Sequence, residues 1–207
     1  MLTLDDLGLE SASGERLSLA DYRADFRRRE DGLSAQDSWK LERQQHFEEP
    51  GDPSWEAFAR GDWSEALRLN EERRASLSEF GAMCDKRGVG LYRVRVVEKP
   101  LVPYLQWEMH TLKLRAECGE AIRVVGPEAI GALERDRPLP ELINLGGDTL
   151  YEILYDDEGV IEGGVRYTDP HVVASFVELC KSVYAAGEDL LTYFQREIAH
   201  LPPPRVE

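Results

Sequence analysis

The segment that most restricts this chain is one crowded helix set between two valine-rich runs. "LYRVRVVE" begins at Leu91, "PYLQWEMHTLKLRAECGE" at Pro103 and "AIRVVG" at Ala121. The two outer runs have strand length and strand composition. The middle segment is apolar at helical spacing and opens on a proline, which suits a first helical turn. A strand, a helix and a second strand in that order predict parallel strands joined by a helical crossover.

The rest of the chain fits around this unit. Ser18 and Asp21 form a capping pattern for a short amphipathic helix with Leu19, Tyr22 and Phe26 on one side and Arg27 to Arg29 as its solvated end. "SWKLER" reads as a short extended piece before a breaker-rich loop. Asp52 and Pro53 start another helix. Asp62 and Glu65 cap a long one that reaches Arg87, interrupted midway by "NEERR", and offers a surface for a homodimer. "LINL", "TLYEILYD" and "VIEGGVRY" read as strands with a hairpin turn at "DDEG". Asp169 and Pro170 open a last long helix that breaks at Gly187. The expected class is α/β (α+β): a mixed sheet with a strand-helix-strand crossover and a C-terminal hairpin plus long helix, preceded by a helical N-terminal region. Four segments follow: an extension over 1–35, whose first sixteen residues show no sustained period, a helical region over 36–88, an α/β domain over 89–200 and a disordered tail over 201–207.

Forty acidic residues face 25 basic ones, a formal charge of −15. That field repels nucleic acid phosphates and anionic membrane and attracts a basic protein, such as a DNA-binding regulator. Cys84, Cys118 and Cys180 are scattered without metal or disulfide spacing and read as buried thiols. The N-terminus lacks a basic stretch followed by an apolar core, so a cytoplasmic location is expected. No Walker, GxSxG or HExxH pattern occurs, and "INLGGDT" is not a phosphate loop. Asp156, Asp157 and Glu158 solvate a turn rather than bind a cation. The sequence thus predicts no cofactor, no metal and no catalytic residue.

On a helical wheel, Leu101, Leu105, Met109, Leu112 and Ala116 share one arc, and Tyr104, Trp107, Thr111, Leu114 and Cys118 a neighbouring one. Glu108 and Arg115 lie between them and are expected to be buried. Gln106, His110, Lys113 and Glu117 face away, so loss of the His110 ring is expected to be nearly silent. Buried charges need partners. Glu108 and Arg115 stand seven residues apart, about 10 Å along the axis, too far to serve each other easily. Alternation puts Arg93 and Arg95 on one strand face, where either can clamp Glu108. Arg123 on the next strand lies close to Glu120 along the chain, and either can join the network. The candidate site is therefore Arg93, Arg95, Tyr104, Trp107, Glu108, Arg115, Glu120 and Arg123. It is read first as a structural ion-pair network, then as an anion or partner pocket. Acid–base chemistry ranks last, because arginines are expected to hold the carboxyl groups too acidic for it.

The stretch with Arg93, Arg95, Val96, Val97, Pro100 and Leu101, then "YLQWE" and "GEAIRVV", resembles an actinobacterial family, domain of unknown function 6879. "SWKLER", "YDDEG" and "VRYTDP" add to the resemblance, which spans roughly residues 36 to 186. It implies no catalytic residues. Members are often encoded beside helix-turn-helix regulators, which implies a regulatory, non-enzymatic role through protein contacts. A weaker likeness to phospholipase D-like domains implies a non-catalytic version, because "HTLKLRAE" lacks the His-x-Lys spacing and the following Asp. The expected function is an interaction protein for a DNA-binding regulator. The alternatives are a small-anion or nucleotide sensor using the Arg/Glu cluster and, after that, a phosphodiesterase-type hydrolase.

Overall fold

A computed structural model describes residues 7–134 and 137–205. Along the chain run β1 (Glu15–Ser18), α1 (Leu19–Asp31), β2 (Ser38–Glu42), α2 (Pro53–Ala59), α3 (Trp63–Glu71), α4 (Arg74–Lys86), β3 (Leu91–Val96), α5 (Pro103–Glu117), β4 (Ala121–Val125), β5 (Glu141–Leu145), β6 (Thr149–Tyr155), β7 (Ile161–Tyr167), α6 (Pro170–Ala186), β8 (Glu188–Asp189) and α7 (Leu190–Glu197). The strands form one mixed sheet in the order β1-β7-β6-β5-β2-β3-β4-β8. The expected crossover is present: β3 and β4 pair in parallel and α5 connects them. β2 adds a second parallel pair with β3, and the remaining pairings are antiparallel.

Side chains alternate across the sheet, so each strand serves two environments. Trp39 and Leu41 of β2, with Val94 and Val96 of β3, point to an apolar layer under α6, where Val172, Phe176, Cys180 and Val183 close the core. The opposite residues, Lys40, Glu42, Arg93 and Arg95, point toward α5. On that side Leu105, Met109 and Leu112 of α5 pack with Ile122, Val124 and α7, while Tyr104 and Trp107 pack with Phe58 and Ala66 of α2 and α3. The expected caps at Ser18, Asp52, Asp62 and Asp169 each accept a backbone N–H of the first turn.

Two expectations are corrected. The region before residue 17 is not patternless: β1 pairs antiparallel with β7, from Glu15↔Arg166 to Ser18↔Gly163. Its partner makes room with glycine, since a Cβ on Gly163 would stand 2.3 Å from the Leu17 carbonyl oxygen. Residues 1–6 lie outside the described residues. The helix expected from Trp63 to Arg87 is two helices. Ala66 belongs to the cluster beside Trp107, whereas Cys84 belongs to one with Tyr22 and Tyr151, and one straight rod cannot reach both. The chain bends at Glu72 and Arg73, and Arg73 Nη1 donates to Asp52 Oδ2 at 3.0 Å.

Strands from the segments 1–35 and 36–88 join the same sheet as those of 89–200. At the C-terminus, Leu201 packs beside α5 and α7, and Gln106 Nε2 donates to the Pro202 carbonyl at 2.7 Å. Residues 206 and 207 lie outside the described residues. No helix among the described residues is long and apolar enough to cross a membrane.

α1 is tied to the far end of the chain through Asp25, whose carboxylate accepts from Tyr151 Oη at 2.6 Å and Arg166 Nη1 at 2.8 Å. Arg28 stays exposed, as expected, while pairing with Asp25; Arg29, expected to be solvated, is partly buried, pairs with Asp25 and reaches Thr149.

Where α4 crosses the end of α5, Gly81 is buried, and a Cβ there would stand 2.1 Å from the Cys118 carbonyl oxygen. Gly81→Ala should therefore lower unfolding free energy by about 1–3 kcal/mol in a denaturant titration, although alanine is the better helix former.

Candidate functional site

The parallel pairing of β2 with β3 sets Lys40 beside Arg93 and Glu42 beside Arg95 on the face turned to α5. Lys40 and Arg93 are like charges in register, and Glu42 offsets their repulsion by pairing with both. α5 lays Glu108 over them, and the short turn after α5 brings in Glu120. Arg95 is fully buried. Its Nε donates to Glu108 Oε2 at 2.8 Å, and its Nη1 donates to the carbonyls of Gln44, Val96 and Glu42. Arg93 Nη1 donates to both oxygens of Glu42, at 3.0 and 2.8 Å, and its Nε donates to Glu120 Oε1 at 2.6 Å. Lys40 Nζ stands 2.5 Å from Glu42. On β5, Glu141 accepts the backbone N–H groups of Arg43 and Gln44 with one oxygen, and its other oxygen is buried without a partner among the described residues.

The network is not sealed. A cavity of about 760 Å³ lies between it and the loop that follows β2. Its floor is Lys40, Glu42, Arg93 and the α5 residues Glu108, Thr111 and Arg115. Phe47, Tyr104, Trp107 and Tyr155 form aromatic walls, and Glu48, Glu49, Asp52 and Arg73 also line the cavity, with exposed Arg23, Pro50 and Gly51. Hydrogen bonds fix two of these rings: Tyr104 Oη donates to Glu49 at 2.6 Å and Trp107 Nε1 to Ser54 Oγ at 3.0 Å.

Burial and charge set the titration of these groups. Burial alone would raise the Glu42 carboxyl, but Arg93, then Lys40 and Arg95, hold it well below the usual range. Glu108 goes the other way. Burial lifts it above its ordinary value, Arg95 opposes the rise, and Glu42 adds repulsion. Glu141 is likewise pushed up by burial, to about 7. The expectation that arginines keep all these carboxyl groups strongly acidic is therefore corrected: Arg95 is shared among three acids, and burial prevails at Glu108 and Glu141. Arg115 is lowered by burial. Glu120 opposes this, and the neighbouring cations Arg93 and Arg73 add to the lowering.

Of the eight candidate residues, the structure brings seven together. Arg93, Tyr104, Trp107, Glu108 and Arg115 line the cavity, and Arg95 and Glu120 support it from behind. Arg123 is not among them. The β3–β4 register sets Arg123 beside Val94, hence on the α6 face, where it donates to the carbonyls of Tyr184, Ala185 and Gly187 at the end of α6. The reading of His110 and Gln106 as solvent-facing is also corrected. Gln106 is buried. The His110 ring lies edge-on to Trp63 and Phe194, at 5.2 and 4.9 Å, and burial ahead of nearby Lys113 lowers it to about 4.

Sequence reasoning missed Lys40, Glu42, Phe47, Glu49, Asp52, Arg73, Tyr155 and Glu141. A signal existed for the first two, since Lys40 and Glu42 are charged at strand spacing in "SWKLE", as Arg93 and Arg95 are in "LYRVRV". Asp156 is spent on its own turn, accepting the N–H groups of Glu158 and Val160. No group of three or more His, Cys, Asp or Glu placed to hold a metal ion occurs among the described residues.

A family model described as a domain of unknown function (DUF6879) matches residues 24–195. The match extends beyond the 36–186 stretch of the residue-level resemblance, into α1 and α7. No curated protein matches the chain. Among solved structures, the chain is similar to TrmBL2, described as an archaeal chromatin protein with a novel mode of DNA binding, at 14% identity and a TM-score of 0.40. That alignment covers 86% of this chain and 54% of the other, so the chain spans about half its length.

Two outcomes follow from the geometry. Glu108 and Glu141 have raised folded-state values, so between about pH 4.5 and 7 the native state holds protons that the unfolded chain has released. Their contribution is full below pH 4.5 and is lost as pH rises toward 7. Glu42 behaves oppositely: its contribution is present above pH 4.5 and lost in acid. Glu108→Gln and Glu141→Gln should each flatten the fall in melting temperature between pH 5 and 7.5, read by thermal melts in matched buffers; an unchanged slope refutes the assignment. His110→Ala should lower stability by on the order of 1 kcal/mol rather than nothing, because it empties the space between Trp63 and Phe194.

Proposed function

The chain belongs to the domain of unknown function 6879 family, and from that premise we propose that it is a non-enzymatic, cytoplasmic sensory module that binds a small polar ligand in the cavity between β2, β3 and α5. One observation carries this reading. A buried network of arginines and glutamates opens into a cavity of about 760 Å³ whose walls are aromatic. Concave, partly apolar spaces with a few convergent polar groups are where small molecules bind.

The catalytic alternative has less support. Glu108 is raised, as a general acid or base would be, but its Oε2 is engaged by Arg95. Among the described residues no histidine or cysteine lines the cavity to act as a nucleophile. The hydrolase reading through His110 fares worse still, since that ring is packed between two aromatic rings on another side of α5.

A second reading concerns what the module acts on. The formal charge of −15 favours a basic protein partner, and a helix-turn-helix regulator, whose DNA-binding surface is basic, has that chemistry. Occupancy of the cavity would then be the input and the protein contact the output.

Binding is tested by thermal shift against nucleotides, inorganic phosphate, carboxylates and neutral polyols at millimolar concentration. A ligand at a hundred times its Kd adds about 2.7 kcal/mol to stability, which raises the melting temperature by several degrees. Val160→Trp, which places an indole on the cavity wall, should abolish the shift. Melting curves that move with no compound, or that move equally in Val160→Trp, refute the reading.

A further inference from the structure

Hydrogen-bond donors are unevenly used across the cavity floor. Arg93 is held by two carboxylates and Arg73 by Asp52. Arg115 has among the described residues a single long contact, 3.5 Å from Nη1 to Glu120 Oε2, and Glu120 already accepts from Arg93 at 2.6 Å. A guanidinium carries five N–H donors in a fixed plane, so most of the Arg115 fork is unspent. Its side chain is 30% exposed and lines the cavity. One helical turn earlier on the same face, Thr111 also lines the cavity, and its hydroxyl has no partner among the described residues. Unused donors at a buried or half-buried site are a cost that a ligand oxyanion removes.

The charges around Arg115 select the kind of anion. Burial disfavours the Arg115 charge, Glu120 and Glu42 favour it, and Arg93 and Arg73 add to the lowering; an oxyanion on the open fork offsets that burial. Glu42, Glu48, Glu49, Asp52 and Glu108 also line the cavity, and these carboxyl groups disfavour a species carrying two charges. A single planar oxyanion fits one open, planar fork. Beside it stand the rings of Phe47, Tyr104, Trp107 and Tyr155, and the Tyr104 hydroxyl and Trp107 indole N–H are already spent on Glu49 and Ser54.

We propose that Arg115, with Thr111, anchors the carboxylate of a small monocarboxylic acid whose apolar body lies against Tyr104, Trp107, Phe47 and Tyr155. This rests on the cavity reading and adds to it the ligand class and the anchoring residue. Arg93 and Arg95 then act as positioning residues, occupied by Glu42 and Glu108.

Benzoate, benzamide, acetate and inorganic phosphate are the probes, titrated into the full chain by calorimetry and by NMR of the indole N–H signals. Benzoate should bind and shift the Trp107 signal. Benzamide, of the same shape without the charge, should bind at least tenfold more weakly, and acetate should also fall behind benzoate for want of a ring. Arg115→Ala should weaken benzoate at least tenfold. Arg115→Lys, which keeps the charge and the fold but loses the fork, should weaken it severalfold, as should Thr111→Val. Arg123→Ala, on the other face of the sheet, should leave binding unchanged. Benzamide binding as tightly as benzoate overturns the acid class and leaves the cavity reading standing. Phosphate binding more tightly than benzoate, and losing affinity in Arg115→Lys, assigns the fork to a phosphoryl group and overturns the carboxylate. Binding of benzoate that Arg115→Lys and Arg115→Ala both leave unchanged overturns the anchor. An absence of binding by all four overturns this proposal, while the cavity reading is judged separately by the polyol and nucleotide arms.

Discussion

The burial of one guanidinium organises this molecule. Arg95 has no solvent exposure, yet it carries a full charge between a sheet and a helix. A charge in that position needs several partners at once, and the chain supplies them from four places: the end of β2, the loop after it, the end of β3 and the middle of α5. The contacts fix the height and rotation of α5 above the sheet. They also hold the loop carrying Phe47, whose ring lies 6.0 Å from the guanidinium carbon.

The two faces of the central strands consequently do different jobs. Under α6 the layer is apolar, built from Trp39, Leu41, Val94, Val96 and Phe176, with burial as its main source of stability. Under α5 the same strands present Lys40, Glu42, Arg93 and Arg95. Charged side chains give less net stability than well-packed apolar ones, but they specify geometry and leave acceptors and donors for a ligand. At the central strands apolar packing dominates one side and ion pairing the other. The same division explains why Glu108 and Glu141 resist ionisation while Glu42 does not: two cations are engaged at Glu42, and one guanidinium is left for the other two acids.

Much of this was legible in the sequence wherever the controlling pattern is local. The inward turn of Glu108 follows from its place between two apolar arcs, and the Arg95 clamp follows from strand alternation plus the need of a buried acid for a partner. What depends on register was not legible. Arg123 was placed near Glu120 by proximity along the chain, but pairing of β3 with β4 aligns it with Val94 and turns it to the other face. Glu42 and Glu141 belong to the network only because β2 lies between β3 and β5, an adjacency set by chain topology over about a hundred residues. His110 looked solvated on the wheel of its own helix, and its cover comes from Trp63 and Phe194, supplied by separate helices.

β1 and α1 come first in the chain, yet their partners come near its end. Ser18 sits opposite Gly163, and Asp25 is satisfied by Tyr151 and Arg166. Ribosomal synthesis delivers residues in order at roughly 5–20 per second, so the opening strand spends many seconds outside the tunnel before its neighbour β7 emerges. Its acceptors and donors must meanwhile be satisfied by water, and its sparse apolar content suits that wait, because it gives chaperones and other nascent chains little to hold. The β1 edge of the sheet is therefore completed only after translation of the hairpin that carries β6 and β7.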